Sequence, residues 1–185
     1  KIKPSKKILK ILIAGDGGIG KTTYLKQFCS NSYAGNQTLT VGNSIFVKKA
    51  EVDSTSLFLQ IWDFGGQDRF RFMLDGFVRG GAGAILGFDV KRRKSYFSLK
   101  EWVSLLRKNN PDLPIVLIAT KKDLGFHPTL NPGLAEKAVS ELGLLGYIET
   151  SSKEEINIEL PFKILISKIQ GIDDLEAIRF IDLKI

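Results

Sequence analysis

The chain alternates between short apolar runs and longer stretches in which apolar residues recur at helical spacing. Ile8, Leu9, Ile11, Leu12, Ile13 and Ala14 form the first run, which predicts a buried strand, and Thr23 to Phe28 follows it as a helix. Ser30 to Thr40 is polar with little periodicity and reads as a loop. Ser44 to Val52 and Ser56 to Trp62 predict two strands, and the short turn Asp53-Ser54-Thr55 between them makes an antiparallel hairpin. Gly83 to Val90 is the next buried strand, and Phe97 to Lys108 a helix whose apolar stripe is Leu99, Trp102, Val103, Leu105 and Leu106. Ile115 to Ala119 is short and β-branched, as a core strand is. Leu134 to Leu142 then reads as a helix, Tyr147 to Glu149 as a short last strand, and Leu160 to Ile169 as a final helix.

Strands alternating with helices predict an α/β fold around a mostly parallel sheet. About six strands are expected, one of them antiparallel, with about five flanking helices, in three layers. The 185 residues suit one domain, expected over 1–170. Residues 171–185, with Ile172, Leu175, Ile178, Phe180 and Ile181 on a charged background, read as an amphipathic extension packed on that domain.

Composition narrows the chemistry. No apolar stretch approaches the roughly 20 residues of a membrane span. Cys29 is the only cysteine, which excludes an internal disulfide and suits a reducing compartment, so a cytoplasmic location is expected. His127 is the only histidine, so Ser-His catalysis or a histidine-rich metal centre lacks material, and Asp and Thr must hold any cation. The formal charge of +7 favours an anionic ligand. Lys1, Lys3, Lys6, Lys7 and Lys10, and the run Lys91-Arg92-Arg93-Lys94, read as solvated faces. Neither is interleaved with the aromatics of a single-strand groove, and no nucleic acid is expected.

Gly15-Asp16-Gly17-Gly18-Ile19-Gly20-Lys21-Thr22 fits G-x-x-x-x-G-K-[ST] between the first strand and the first helix, where a phosphate-binding loop belongs. Its glycines let backbone N–H groups converge on a polyphosphate and the helix adds its positive end. Lys21 reaches the terminal phosphates and Thr22 offers a hydroxyl to Mg²⁺. Four further segments bear on what the loop serves. Trp62-Asp63-Phe64-Gly65-Gly66-Gln67 closes a strand: Asp63 suits Mg²⁺ through a water, Gly66 a γ-phosphate, and Gln67 an attacking water. Thr40, with Thr38 as competitor, lies on the polar loop, where its hydroxyl reaches Mg²⁺ only when the loop closes. In Thr120-Lys121-Lys122-Asp123 the carboxylate suits the N1–H and N2 amine of guanine, which adenine lacks, and the Lys121 stem lies over the base. Glu149-Thr150-Ser151-Ser152-Lys153 offers a backbone N–H near Ser152 to the guanine O6. Each segment alone also reads as an ordinary polar turn; their order and spacing carry the argument.

These five elements resemble the Ras-like small GTPases across essentially the whole domain, which implies the three-layer P-loop NTPase fold. Gln67-Asp68-Arg69-Phe70-Arg71-Phe72 and Ser95 to Trp102 look most like the Rab branch, and the phosphate loop is similar to Ran and Rab proteins. Asp63 to Gln67 is closer to the Arf and Roc style, with Gly65 in place of the usual Ala. The resemblance implies that Gly17, Gly18, Ile19, Gly20, Lys21, Thr22 and Thr23 bind phosphates, that Thr22, Thr40 and Asp63 serve Mg²⁺, and that Gly66, Gln67 and Lys21 serve catalysis. It places Tyr33 across the guanine edge and Thr120, Lys121, Asp123, Ser151, Ser152 and Lys153 around the base. Thr120 departs from the usual Asn, as in the Rho branch.

The implied activity is slow hydrolysis of GTP to GDP by a molecular switch in trafficking or signalling. Residues 23–39 hold no Arg, so an activating protein is expected to bring one. An exchange factor and effectors are expected too, the latter at loops 31–43 and 65–78, on a monomer. No prenylatable cysteine or N-terminal Gly is visible, so no membrane anchor is expected within these residues. A non-hydrolysing GTP-binding scaffold is the alternative, and a P-loop kinase or ATPase would have no use for Asp123.

Overall fold

The computed structural model describes residues 6–30, 43–53, 55–65 and 74–182. Its strands are β1 (Lys6–Ala14), β2 (Asn43–Val52), β3 (Thr55–Phe64), β4 (Gly83–Asp89), β5 (Ile115–Thr120), β6 (Tyr147–Glu149) and β7 (Ile178–Ile181). They form one sheet in the order β6-β5-β4-β1-β3-β2-β7. β1 pairs in parallel with both β3 and β4, and β4, β5 and β6 continue in parallel, because the helices between them return the chain to the same edge. β2 runs antiparallel to β3 and to β7, so it alone opposes the rest.

The α-helices are α1 (Lys21–Ser30), α2 (Leu74–Val78), α3 (Arg93–Phe97), α4 (Leu99–Leu106), α5 (Pro132–Leu142) and α6 (Leu160–Gln170), with 3₁₀ turns at Lys122–Leu124 and Leu175–Ala177. The single helix expected over 97–108 begins earlier, at Arg93. Ser98 separates α3 from α4 but carries the helical bonds through, its N–H to Lys94 O and its carbonyl from Trp102 N–H, both at 3.1 Å.

Alternation along the strands sends side chains to two cores. Leu12, Leu86, Phe88 and Leu117 face α4 and α5 through Trp102, Leu106, Ala135 and Ala138. Ile11, Ile13, Ile85 and Ile118 face α1 and α6 through Tyr24, Phe28, Phe162 and Leu165. The layering is therefore helix, sheet, helix.

The sequence predicts about six strands and the sheet has seven. The difference is β7, where four residues of the amphipathic tail add an edge by pairing Lys49–Val52 with Ile178–Ile181. Among the described residues no helix is long and apolar enough to cross a membrane.

Candidate functional site

The parallel strands end together, which gathers their C-terminal loops on one edge of the sheet. Ile13 of β1 is in register with Asp63 of β3, Ala14 with Leu86 of β4, and Asp89 of β4 with Thr120 of β5. Strand order reverses about β1, the position at which open α/β sheets hold ligands. The glycine loop leaves β1 here. Gly15 has φ +133°, and a Cβ on it would lie 2.4 Å from Gly87 O of β4, so only glycine lets the loop pass that strand.

Lys21 begins α1 and folds back under the loop, 5% exposed, donating to Gly15 O at 2.8 Å and Asp16 O at 2.9 Å. Burial lowers its pKa to about 8, with the Asp63 and Asp16 charges opposing and the Arg92 charge adding to the fall. The Thr22 hydroxyl donates to Asp63 Oδ2. Asp63 is fully buried. Burial raises its pKa, while the Thr22 hydrogen bond and the Lys21 charge hold it down.

Asp63 Oδ1 has no hydrogen-bond partner among the described residues, an expensive condition for a buried carboxylate. An unmatched carboxylate oxygen beside a hydroxyl is a hard-cation donor set, and it fits Mg²⁺, which takes one or two protein oxygens and keeps waters and phosphates for the rest. Among the described residues no cluster of three His, Cys, Asp or Glu offers a competing metal centre.

Three successive loop carbonyls are each taken by a side chain from another strand end. Arg92 Nη1 donates to Gly17 O at 2.6 Å, Lys121 Nζ to Gly18 O at 3.1 Å, and Thr120 Oγ1 to Ile19 O at 2.7 Å. A planar trans peptide with its carbonyl held outward turns the following N–H inward, which makes the loop an anion nest. The Asp16 carboxylate is fixed as well, accepting from Trp102 Nε1 at 2.8 Å and Ser98 Oγ at 3.0 Å.

At the other end of the site, the Thr120 hydroxyl has Phe88 O 3.1 Å away as a second acceptor. Lys121 is left-handed at φ 62° and its Nζ also pairs with buried Asp89 at 2.6 Å. Asp123 Oδ1 accepts from Ser151 Oγ at 2.7 Å, so the loops after β5 and β6 share this carboxylate. Thr150 N–H bonds Ala119 O at 2.8 Å and Lys122 N–H bonds Thr150 O at 3.0 Å, tying the same loops by backbone. Ser151 is buried, Ser152 half-buried and Lys153 exposed.

Gly17, Gly18, Ile19, Gly20, Lys21, Thr22 and Thr23 thus stand on one loop and helix start, with Asp63, Thr120, Lys121, Asp123 and Ser151 to Lys153 along the same edge. Tyr33, Thr38, Thr40, Gly66 and Gln67 lie outside the described residues. Sequence reading missed Asp16, Asp89, Arg92, Ser98 and the indole N–H of Trp102, which act across 32 to 86 positions.

The sequence matches the Ras family over residues 10–171. The chain belongs to the Ras family. A GTP-binding protein, YPTM1, of Zea mays is 31% identical over 164 residues, covering 88% of this chain and 78% of that protein. The GTP-binding protein yptV5 of Volvox carteri is 34% identical over 163 residues, covering 85% and 80%. The Ras-related protein Rab-11A of Dictyostelium discoideum is 31% identical over 166 residues, covering 89% and 77%. This Ras-family chain is therefore a Rab-like small GTP-binding switch protein. Ras-family proteins bind guanine nucleotides and generally require Mg²⁺, and the Thr22 and Asp63 donors fit that cation.

Proposed function

We propose that the chain hydrolyses GTP to GDP, alternating between two nucleotide states in a trafficking or signalling pathway. The observation that carries this reading is the shared bracing of one loop: Lys21, Thr22 and Asp63 at one end, and Thr120, Lys121, Asp123 and Ser151 at the other. That span suits a triphosphate at the first end and a purine at the second.

In the proposed mechanism the N–H groups of Gly17 to Thr23 and the Lys21 ammonium hold the phosphates. Thr22 and Thr40 would hold Mg²⁺, with Asp63 behind a water, and the cation would neutralise phosphate charge. Gly66 N–H meets the γ-phosphate and Gln67 orients the water for in-line attack. Asp123 selects guanine through N1–H and the N2 amine, with Tyr33, Lys121, Ser152 and Lys153 around the base. Exchange and activating proteins set the rate of the cycle, and effectors read loops 31–43 and 65–78. The G domain spans 1–170, with 171–185 its C-terminal extension, acting as a cytoplasmic monomer.

Nucleotide analysis of the purified protein followed by a phosphate-release assay tests this. Bound guanine nucleotide and slow phosphate release from GTP are expected, with Gln67→Leu slower than the parent. Tightly held GTP that persists for hours favours the scaffold instead, and equal binding of ATP overturns the reading altogether.

A further inference from the structure

All four side chains of Lys91-Arg92-Arg93-Lys94 are exposed, as a solvated run should be, yet one of them reaches the phosphate loop. Arg92 is held at the entrance to α3. Its N–H bonds Asp89 O at 3.0 Å, and its carbonyl accepts from Ser95 N–H at 2.9 Å and Ser95 Oγ at 2.6 Å. From this fixed base the guanidinium takes Gly17 O at 2.6 Å. The side chains holding the loop carbonyls follow the order of the chain: Lys21 on Gly15 and Asp16, Arg92 on Gly17, Lys121 on Gly18, Thr120 on Ile19. Thr120 and Lys121 mark the base end. Arg92 therefore stands next to Lys21, at the end where the lysine of such a loop meets the β- and γ-phosphates.

We infer that Arg92 is a positioning residue of the phosphate site, supplied in cis, which holds the Gly17 carbonyl outward, turns the next N–H onto the phosphates and adds a positive charge behind the loop. Lys21 on Asp16 O and Arg92 on Gly17 O are cations on adjacent peptide groups, and they repel. An anion with several charges removes that penalty, and a triphosphate does so better than a diphosphate. The same charge favours the negative charge that spreads over the transferring phosphoryl oxygens. This rests on the proposed hydrolysis, and it leaves the arginine expected from an activating partner a separate contribution.

The test compares the parent with Arg92→Ala, Arg92→Lys and, as control, Arg93→Ala. Equilibrium affinities for fluorescent GDP and a non-hydrolysable GTP analogue are measured across a salt series, with single-turnover GTP hydrolysis and thermal unfolding. Arg92→Ala is expected to hydrolyse GTP about tenfold or more slowly and to lose more affinity for the triphosphate analogue than for GDP. Arg92→Lys recovers part of that discrimination, Arg93→Ala matches the parent, and the salt dependence of analogue binding flattens only in Arg92→Ala. An unchanged affinity ratio with hydrolysis within about twofold of the parent overturns the inference. So does an alanine variant whose losses follow its unfolding and are equal for both nucleotides. If the parent binds GTP without hydrolysing it, the proposed function fails, and the affinity ratio alone decides the role of Arg92.

Discussion

Thr120 shows how one hydroxyl does the work usually given to a longer amide. It is 5% exposed and joins the loop after β5 to Ile19 of the phosphate loop, with Phe88 O as a second acceptor. Replacing it by Ala removes the hydroxyl donor that the Ile19 carbonyl accepts from. Thr120→Ala is expected to cost about 1–3 kcal/mol in denaturant unfolding and to weaken GDP binding in a fluorescent-nucleotide titration. Unchanged affinity would mean that the bond does not hold the two loops in register. Cys29 in α1 offers a pH test. Burial raises its thiol pKa from 9.0 to about 11, with the Lys48 charge opposing and the Asp182 charge adding. A folded pKa above the unfolded one contributes stability that is complete below pH 9 and lost as pH rises through about 11. Iodoacetamide should therefore label the native protein far more slowly than the denatured chain at pH 8, the rate climbing toward pH 11. Native labelling at the denatured rate would contradict this burial. Lys21, Thr22, Asp63, Thr120 and Asp123 were legible in the sequence because each sits at a fixed offset within a motif. Asp16, Arg92 and Ser98 were not, because their contacts join distant positions that only the fold brings together.

The strands most legible from sequence were β4 and β5, buried on both faces and written as continuous apolar runs. β7 was the least legible. It has four residues, its partner β2 lies about 130 positions earlier, and two inward residues are too few to reveal a period. Its attachment is nonetheless well defined. Ile178 is buried, and Phe180 packs edge-on against Phe28 at 4.9 Å and Phe162 at 6.5 Å. Asp182 pairs with Lys48, whose side chain is 4% exposed against 63% for the aspartate. A buried ammonium whose acidic partner lies just beyond an edge strand depends on that strand. Deleting residues 172–185 is therefore expected to lower Tm, to speed hydrogen exchange at the β2 amides of Lys49–Val52, and to promote association through the bared edge. Phe180→Ala should reproduce the first two effects more weakly, by about 1–3 kcal/mol for a partly buried ring. If the truncated protein has the parent's Tm and exchange pattern, β7 is an ornament rather than a part of the sheet.

The whole molecule sets its two cores against a polar edge that is costly to build. Among the described residues, the loops after β1, β4, β5 and β6 are joined there by Lys21, Arg92, Lys121, Thr120 and Ser151. A ligand that spans this edge links elements from both halves of the sheet, so its binding energy is also folding energy. GDP with Mg²⁺ at about 100 times its dissociation constant is expected to add about 2.7 kcal/mol, seen as a rise in Tm that ADP does not give. The Lys21 ammonium shows the cost from the opposite side. Holding it charged at neutral pH in a site that draws its pKa from 10.5 to about 8 costs on the order of 3 kcal/mol. Lys21→Met removes that charge while keeping most of the buried stem. Without nucleotide the variant should therefore melt above the parent, and with saturating GDP and Mg²⁺ it should melt below it, because the parent alone gains the binding energy. A thermal series with and without nucleotide reads both signs at once. A variant less stable than the parent without nucleotide would show that the two carbonyls under Lys21 repay its burial, and that this edge is built for stability rather than for a phosphate.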